Sequence, residues 1–378
     1  MTLDLHPRLS DDQLVLYEVV ERFIEENGSM DQVRAWIDAE AGPDAAYRKQ
    51  AAELGWFSML VPESLGGGQV SDNGVVDATV LAALLGATLQ PGGFVGTNVV
   101  ADALVRSGAA STHGALLADL VAGERAAAWA TMGPAGNPTS WSGVQIRADG
   151  EGYRLSGSKT LVEQAGDCSH LLVTGALDEA PVQLLVPTDA PGLRLKRMAG
   201  LDVTRALFEV GFEDVEAGRA SLVGAPGACL ELIERQLQVA CVLRSAETVG
   251  AMDRDFQAAL EYAKDRIAFG RPIGSFQAIK HLLADTSLML EMSKAAVAGA
   301  ARAVGAGAAD ASRDASSAKA FVAERGVTLA QNCFQVFGGL GYTWEHDHHL
   351  YMRRITTDAA LFGGAAWHRE RICASADL

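Results

Sequence analysis

The sequence has no uninterrupted apolar run near the ~20 residues that a membrane-spanning helix needs, so a helical membrane protein is not expected. Cysteine is scarce and scattered. The five residues (Cys168, Cys229, Cys241, Cys333 and Cys373) are odd in number and form no C-x-x-C pair, which excludes a disulfide framework and a zinc ribbon. Reduced thiols in a cytoplasmic protein fit this usage. Basic residues are outnumbered, 31 Lys and Arg against 47 Asp and Glu, for a net charge of -16. With no Lys/Arg cluster to offset that balance, neither nucleic acid nor an anionic membrane is expected as a partner. Residues 1–12 lack a basic segment followed by an apolar core, so secretion is not expected either. Internal repeats and low-complexity tails are absent.

What is present is an apolar-rich chain of 378 residues, 49% hydrophobic and 21% charged, long enough for two or three domains around a buried core. Over 11–58 the apolar positions Leu14, Tyr17, Val20, Ile24, Val33, Ile37, Ala46, Ala51 and Leu54 recur at three- and four-residue intervals, predicting amphipathic helices. Val61-Pro62-Glu63-Ser64-Leu65-Gly66-Gly67-Gly68 reads as a turn, and helical patterning resumes from Val75 to Val121. Between about 129 and 223 the pattern changes to short alternating runs (143–147, 153–156, 170–174 and 182–186) separated by turn residues, predicting a β domain. Long helices return from Cys229 onward. In one of them Ile279, Leu282, Thr286, Met289, Ser293, Val297, Ala300 and Val304 form a single seam suited to a bundle. The Ala/Gly/Ser-rich 305–316 reads as a loop between helices.

Two motifs carry the chemistry. The first is Arg266-Ile267-Ala268-Phe269-Gly270-Arg271-Pro272-Ile273-Gly274-Ser275-Phe276-Gln277; the second is Gln335-Val336-Phe337-Gly338-Gly339-Leu340-Gly341-Tyr342. A guanidinium can hold phosphate oxygens through paired donors, and an aromatic three residues on would share its helical face. Glutamine amides donate and accept, and paired glycines let backbone approach a ligand. Taken singly, Arg266 could pair with a carboxylate, Phe269 could sit in a core, and the glycines could end a helix.

Together these motifs resemble the flavin-clamping segments of acyl-CoA dehydrogenases. Gly55-Trp56-Phe57-Ser58-Met59-Leu60-Val61-Pro62-Glu63, Leu155-Ser156-Gly157-Ser158-Lys159, Phe212-Glu213-Asp214-Val215 and Leu222-Val223-Gly224 support the resemblance by their order and spacing. It implies an α+β architecture, the acyl-CoA dehydrogenase fold: an N-terminal helical domain (1–124), a middle β domain (125–226) and a C-terminal four-helix bundle (227–378). It also implies FAD shared across a subunit interface. Arg266, Phe269, Gln277, Gln335, Gly338 and Gly339 match the group that reaches over a neighbour's pyrophosphate and adenine.

The rest of the site departs from the family pattern. Family enzymes use a glutamate to remove the α-proton of a CoA thioester. At its two known locations this chain has Phe362 (within Leu361-Phe362-Gly363) and Ala240 (followed by Cys241). Glu247, two helical turns beyond Ala240 and on the same side, is the nearest candidate base; a buried or interfacial ion pair is its other reading. The ring-binding segments read Ala130-Thr131-Met132-Gly133-Pro134-Ala135-Gly136-Asn137 and Leu161-Val162-Glu163. The aromatic wall is lost to Leu161, and Glu163 would bring a carboxylate toward a ring that becomes anionic on reduction, unfavourable without a compensating cation. Lys159 is either that cation or an exposed turn residue.

The intact half of the site is the half given to a neighbour. This resembles the non-catalytic subunit of two-subunit (α2β2) actinobacterial steroid-CoA dehydrogenases. The expected function is α,β-dehydrogenation of a CoA thioester, such as a steroid side-chain ester, with a homologous subunit supplying ring pocket and base; the electron acceptor is not specified. Two alternatives remain open: a self-sufficient dehydrogenase using Glu247, and a non-enzymatic scaffold of the same fold. His346-Asp347-His348-His349 contains a His-x-His pair, but a site needs three or four convergent ligands, and Asp347 reads as a first-turn helix acid, so no metal is expected. Trp367 and His368 fall near the mouth of the missing base site, as packing residues or as its closure. Asp202 and Arg205 read as a surface salt bridge, and Cys241 as a small buried apolar group.

Overall fold

The structure, a computed structural model, describes residues 9–375 except Ala135, Asn137, Thr139, Ser140 and Pro226. The segment 130–137 is therefore seen only in part. Ser10 opens the first helix with a capping box, accepting from the Gln13 amide while the Gln13 side chain accepts from the Ser10 amide, which satisfies two otherwise orphaned donors. Six helices follow one another: α1 (Asp11–Asn27), α2 (Met30–Asp38), α3 (Ala45–Glu53), α4 (Gly74–Ala87), α5 (Phe94–Arg106) and α6 (Ala110–Val121). Tyr17, Val20 and Ile24 are buried as the periodicity requires.

Seven strands then form one curled sheet: β1 (Ala127–Ala130), β2 (Val144–Asp149), β3 (Gly152–Glu163), β4 (His170–Leu177), β5 (Ala180–Pro187), β6 (Leu193–Arg197) and β7 (Leu207–Gly218). Their order is β1-β4-β2-β3-β7-β6, with β5 also paired to β4. β1 and β2 run parallel to β4, and the remaining pairs are antiparallel. The β3–β7 register slips between Lys159 and Val162, where Leu161 takes a positive φ of 54°. Such an irregularity re-aims side chains, and here it precedes Glu163.

The C-terminal part begins with α7 (Cys229–Asp265), 37 residues long. A two-residue turn then joins β8 (Ile267–Ala268) to β9 (Arg271–Pro272), and α8 (Gln277–Gly305), α9 (Ala311–Phe337), α10 (His348–Ala360) and α11 (Ala365–Ser375) complete the chain. Thr286, Ser293, Val297, Ala300 and Val304 of the expected α8 seam are buried. The loop expected over 305–316 is shorter, because α9 already starts at Ala311; alanine has the highest helix propensity and extends the helix into this stretch. At the α4–α7 crossing a Cβ on Gly250 would lie 1.7 Å from the Ala83 carbonyl oxygen, and one on Gly86 1.8 Å from that of Glu247. Backbone-to-backbone contact there fixes the axial position of Glu247. No described helix is long and apolar enough to cross a membrane.

Candidate functional site

Four elements meet around Glu163, at the end of β3. Arg205, from the loop before β7, reaches Glu163, Glu247 and Asp358, each at 2.5 Å. Arg244, one turn before Glu247 on α7, bonds Glu163 and Glu247 at 2.5 Å, with Asp358 at 3.4 Å. Arg354 of α10 joins Asp202 and Glu247, both at 2.7 Å, and also donates to Thr204. All seven charged residues are buried. Burial lowers the Arg205 pKa, but attraction to Asp358, Glu163 and Glu247 outweighs it and holds that pKa well above the ordinary value. Burial likewise raises the Asp202 pKa, but Arg354, Arg205 and the Thr204 hydrogen bonds outweigh it and leave the pKa below the ordinary value. Charges without water persist only when paired in this way.

Several expectations change here. Asp202 and Arg205 are not a surface pair; they belong to this buried cluster, through different partners. Glu163 does have compensating cations, Arg205 and Arg244, rather than Lys159. Lys159 is itself buried, not an exposed turn residue: its Nζ donates to the Thr131 carbonyl at 3.0 Å, and burial lowers its pKa to about 8. Glu247 spends its two oxygens on three guanidinium groups instead of facing a substrate. Arg244, Arg354 and Asp358 were not singled out from the sequence. The signal for them was ionisable residues inside otherwise apolar helical stretches.

Of the two expected base positions, Phe362 lies against the same cluster. Phe362, with φ 59°, stacks on Trp129 at 5.9 Å, and the Arg244 guanidinium stands 5.9 Å from its ring. Ala240 is fully buried. The His368 Nε2 lies 3.1 Å from the Phe362 carbonyl and 3.7 Å from Cys241 Sγ. Tertiary folding therefore brings a histidine to Cys241 that the sequence does not place near it. The pair is no nucleophile, because burial pushes the thiol up to about 12 and the imidazole down to about 3, so both are neutral. Trp367 and His368 thus close this corner, His368 fully buried.

The second motif group gathers at the far end of the bundle. Arg266 is not on a shared helical face with Phe269: α7 ends at Asp265, and Phe269 and Gly270 form the turn of the β8–β9 hairpin with φ of 52° and 78°. Two consecutive positive φ angles fit the strand twist of a two-residue hairpin. Phe269 is 96% exposed, with Arg266, Gln277, Gln335 and Gly339 also exposed. Ring contact between Tyr262 and Phe337, at 5.4 Å, ties the ends of α7 and α9 together. Nothing lies within 4 Å of where a Cβ on Gly338 or Gly339 would stand. The histidine-motif residues take separate partners: His346 packs on Phe337 and accepts from the His348 amide, His348 bonds Asp255, Asp347 bonds Arg34, and His349 stacks on Trp344. Among the described residues no three His, Cys, Asp or Glu side chains gather as a metal site.

Helices, curled sheet and helices in this order are the architecture of the acyl-CoA dehydrogenases, and this chain belongs to that family. The family profile "Acyl-CoA dehydrogenase, N-terminal domain" matches residues 10–124, and "Acyl-CoA dehydrogenase, C-terminal domain" matches residues 229–376. Among similar proteins, the acyl-CoA dehydrogenase IpdE2 of Mycobacterium tuberculosis is 29% identical over 352 residues, 93% of each chain. FadE34 of the same organism is 34% identical over 85% of this chain, which spans 41% of that protein's length. The solved ChsE4-ChsE5 complex from M. tuberculosis superposes with a TM-score of 0.89 at 24% identity, covering 99% of both chains. The Tcur3481-Tcur3483 steroid ACAD G363A variant superposes with a TM-score of 0.86 at 26% identity, covering 97% of this chain and 98% of that one.

The family's cofactor is FAD. At the hairpin end the donor set fits its phosphates and adenine: an open guanidinium, two open amides, an open aromatic and bare glycine backbone. At the Glu163 end the residues do not fit an isoalloxazine ring. One guanidinium, that of Arg244, bonds Glu163 at 2.5 Å and stands 5.9 Å from the Phe362 ring, so the residues expected at the ring and base positions are tied to each other.

Proposed function

We propose that this chain is the non-catalytic subunit of a two-subunit, FAD-dependent acyl-CoA dehydrogenase, in an α2β2 assembly with a homologous chain in the cytoplasm. The observation that supports this reading is the Glu163–Arg244–Phe362 contact, which links the residues at the expected ring and base positions, while the hairpin end stays open. Arg266 would hold the pyrophosphate of the partner's flavin, Phe269 would cover the adenine, and Gln277, Gln335 and the Gly338-Gly339 backbone would complete the hydrogen bonding. Bound FAD supplies the hydride acceptor for α,β-dehydrogenation of a CoA thioester, and the partner supplies ring pocket and glutamate base. The paired name and the word "steroid" in the description of the Tcur3481-Tcur3483 structure support a hetero-assembly and a steroid side-chain ester as substrate.

The test is the flavin content of the purified chain with and without its partner. One FAD per two chains is expected in the assembly, and Arg266→Ala in this chain should weaken FAD binding by about tenfold or more, on the scale of a lost charge-assisted contact. One flavin per chain in the isolated protein, with acyl-CoA oxidation lost on Glu247→Gln, would establish self-sufficient catalysis instead. A colourless assembly would leave a scaffold.

A further inference from the structure

His348 and Asp255 are buried and belong to no part of the Glu163 cluster. Asp255 lies in the last third of α7, which ends one residue before Arg266, and His348 opens α10, after the glycine turn 338–342. His348 Nδ1 meets Asp255 Oδ1 at 2.7 Å, within hydrogen-bond distance. The imidazole lies 5.8 Å from the Phe334 ring, at an interplanar angle of 27°, and 5.1 Å from that of Phe337. Above it, Gly341 is so close that an added Cβ would stand 3.1 Å from His348 Cδ2 and 3.0 Å from Phe337 Cβ. The imidazole is thus the floor of the glycine turn, and one hydrogen bond ties that floor to α7, whose end leads directly into Arg266.

We infer that the Asp255–His348 pair is the positioning element that sets the Gly338–Tyr342 turn against Arg266, so that the two halves of the FAD clamp face one ligand. The inference rests on the clamp reading above. Neither residue touches the ligand; both act through backbone placement. The glycine backbone can approach a phosphate or adenine only if the turn keeps its height above α9. His348 fixes that height through its ring, and Asp255 fixes the ring's orientation through Nδ1. A hydrogen bond to a buried carboxylate, with little room for rotation between two aromatic rings, holds both.

The experiment uses the co-purified assembly, stripped of flavin and titrated with FAD, with affinity read from flavin fluorescence. His348→Ala is expected to raise the FAD Kd by about tenfold or more, equivalent to about 1.4 kcal/mol. His348→Asn, which keeps a donor toward Asp255 but removes the ring, should recover only part of the affinity, whereas a role in bulk stability alone would lower the melting temperature without moving the Kd of the folded assembly. Because a lone buried Asp255 could prevent folding, the double variant Asp255→Leu/His348→Phe serves beside it, since apolar replacement of a buried pair is often tolerated. Weak FAD binding by a folded, assembled double variant supports the inference. Wild-type affinity in that variant, or in His348→Ala, overturns it. Arg266→Ala separates the two levels: if it too leaves the Kd unchanged, the clamp reading fails and the inference falls with it.

Discussion

Glu247 carries a carboxylate at the right helical face for a base, yet three guanidinium groups surround it at 2.5 to 2.7 Å. A proton acceptor needs a lone pair aimed at substrate; these are aimed at Arg205, Arg244 and Arg354. Removing one partner from a buried ion cluster typically costs about 3–5 kcal/mol, because the others are left uncompensated. Glu163→Thr, which restores the small hydroxyl of the family pattern, should therefore destabilise the chain by about that amount, seen as a lower urea midpoint. It should not create a flavin ring site. His368 gives a pH prediction. Unfolded, its imidazole takes a proton near 6.5, but folded only near about 3, so the unfolded state binds one more proton between these values. Stability must fall as pH falls below 6.5. His368→Gln should flatten that slope, best measured by urea unfolding between pH 6.5 and 5, above the range where most carboxylates take protons.

At the scale of elements, α7 organises the molecule. It meets α4 through glycine-backed contact, carries Arg244 and Glu247 into the cluster, and ends at the hairpin. Gly250→Ala would press a methyl into the Ala83 carbonyl; overpacking of this kind costs about 1–3 kcal/mol and shifts backbone. The expected result is a lower melting temperature and a disturbed Glu247 cluster. Helices, strands and the α8 seam were legible in the sequence, because each follows a local period. The hairpin at Phe269 was not read as such. Its signal was Gly270 between short runs, but a helical spacing of Arg266 and Phe269 fitted equally well until the positive φ of both turn residues decided it.

For the whole molecule, the two ends of the bundle differ in kind. The Glu163 end is sealed by charge, while the hairpin end exposes Phe269, Ile267, Leu340, Tyr342 and Trp344. Exposed apolar groups of this kind suit a surface for contact with another chain. On mixing with the proposed catalytic partner, amide hydrogen exchange should slow across 266–277 and 338–344 but stay unchanged on the exposed β6–β7 edge; uniform exchange would contradict the proposed interface. The sequence by itself determined the family and the order of helices and strands, since each is a matter of residue identity or local spacing. Only the tertiary structure decided what Glu163, Arg205, Glu247 and His348 do. Their partners lie far away in the chain: Glu163 is 81 residues from Arg244, and His348 is 93 from Asp255. A buried charge is defined by what folding brings against it.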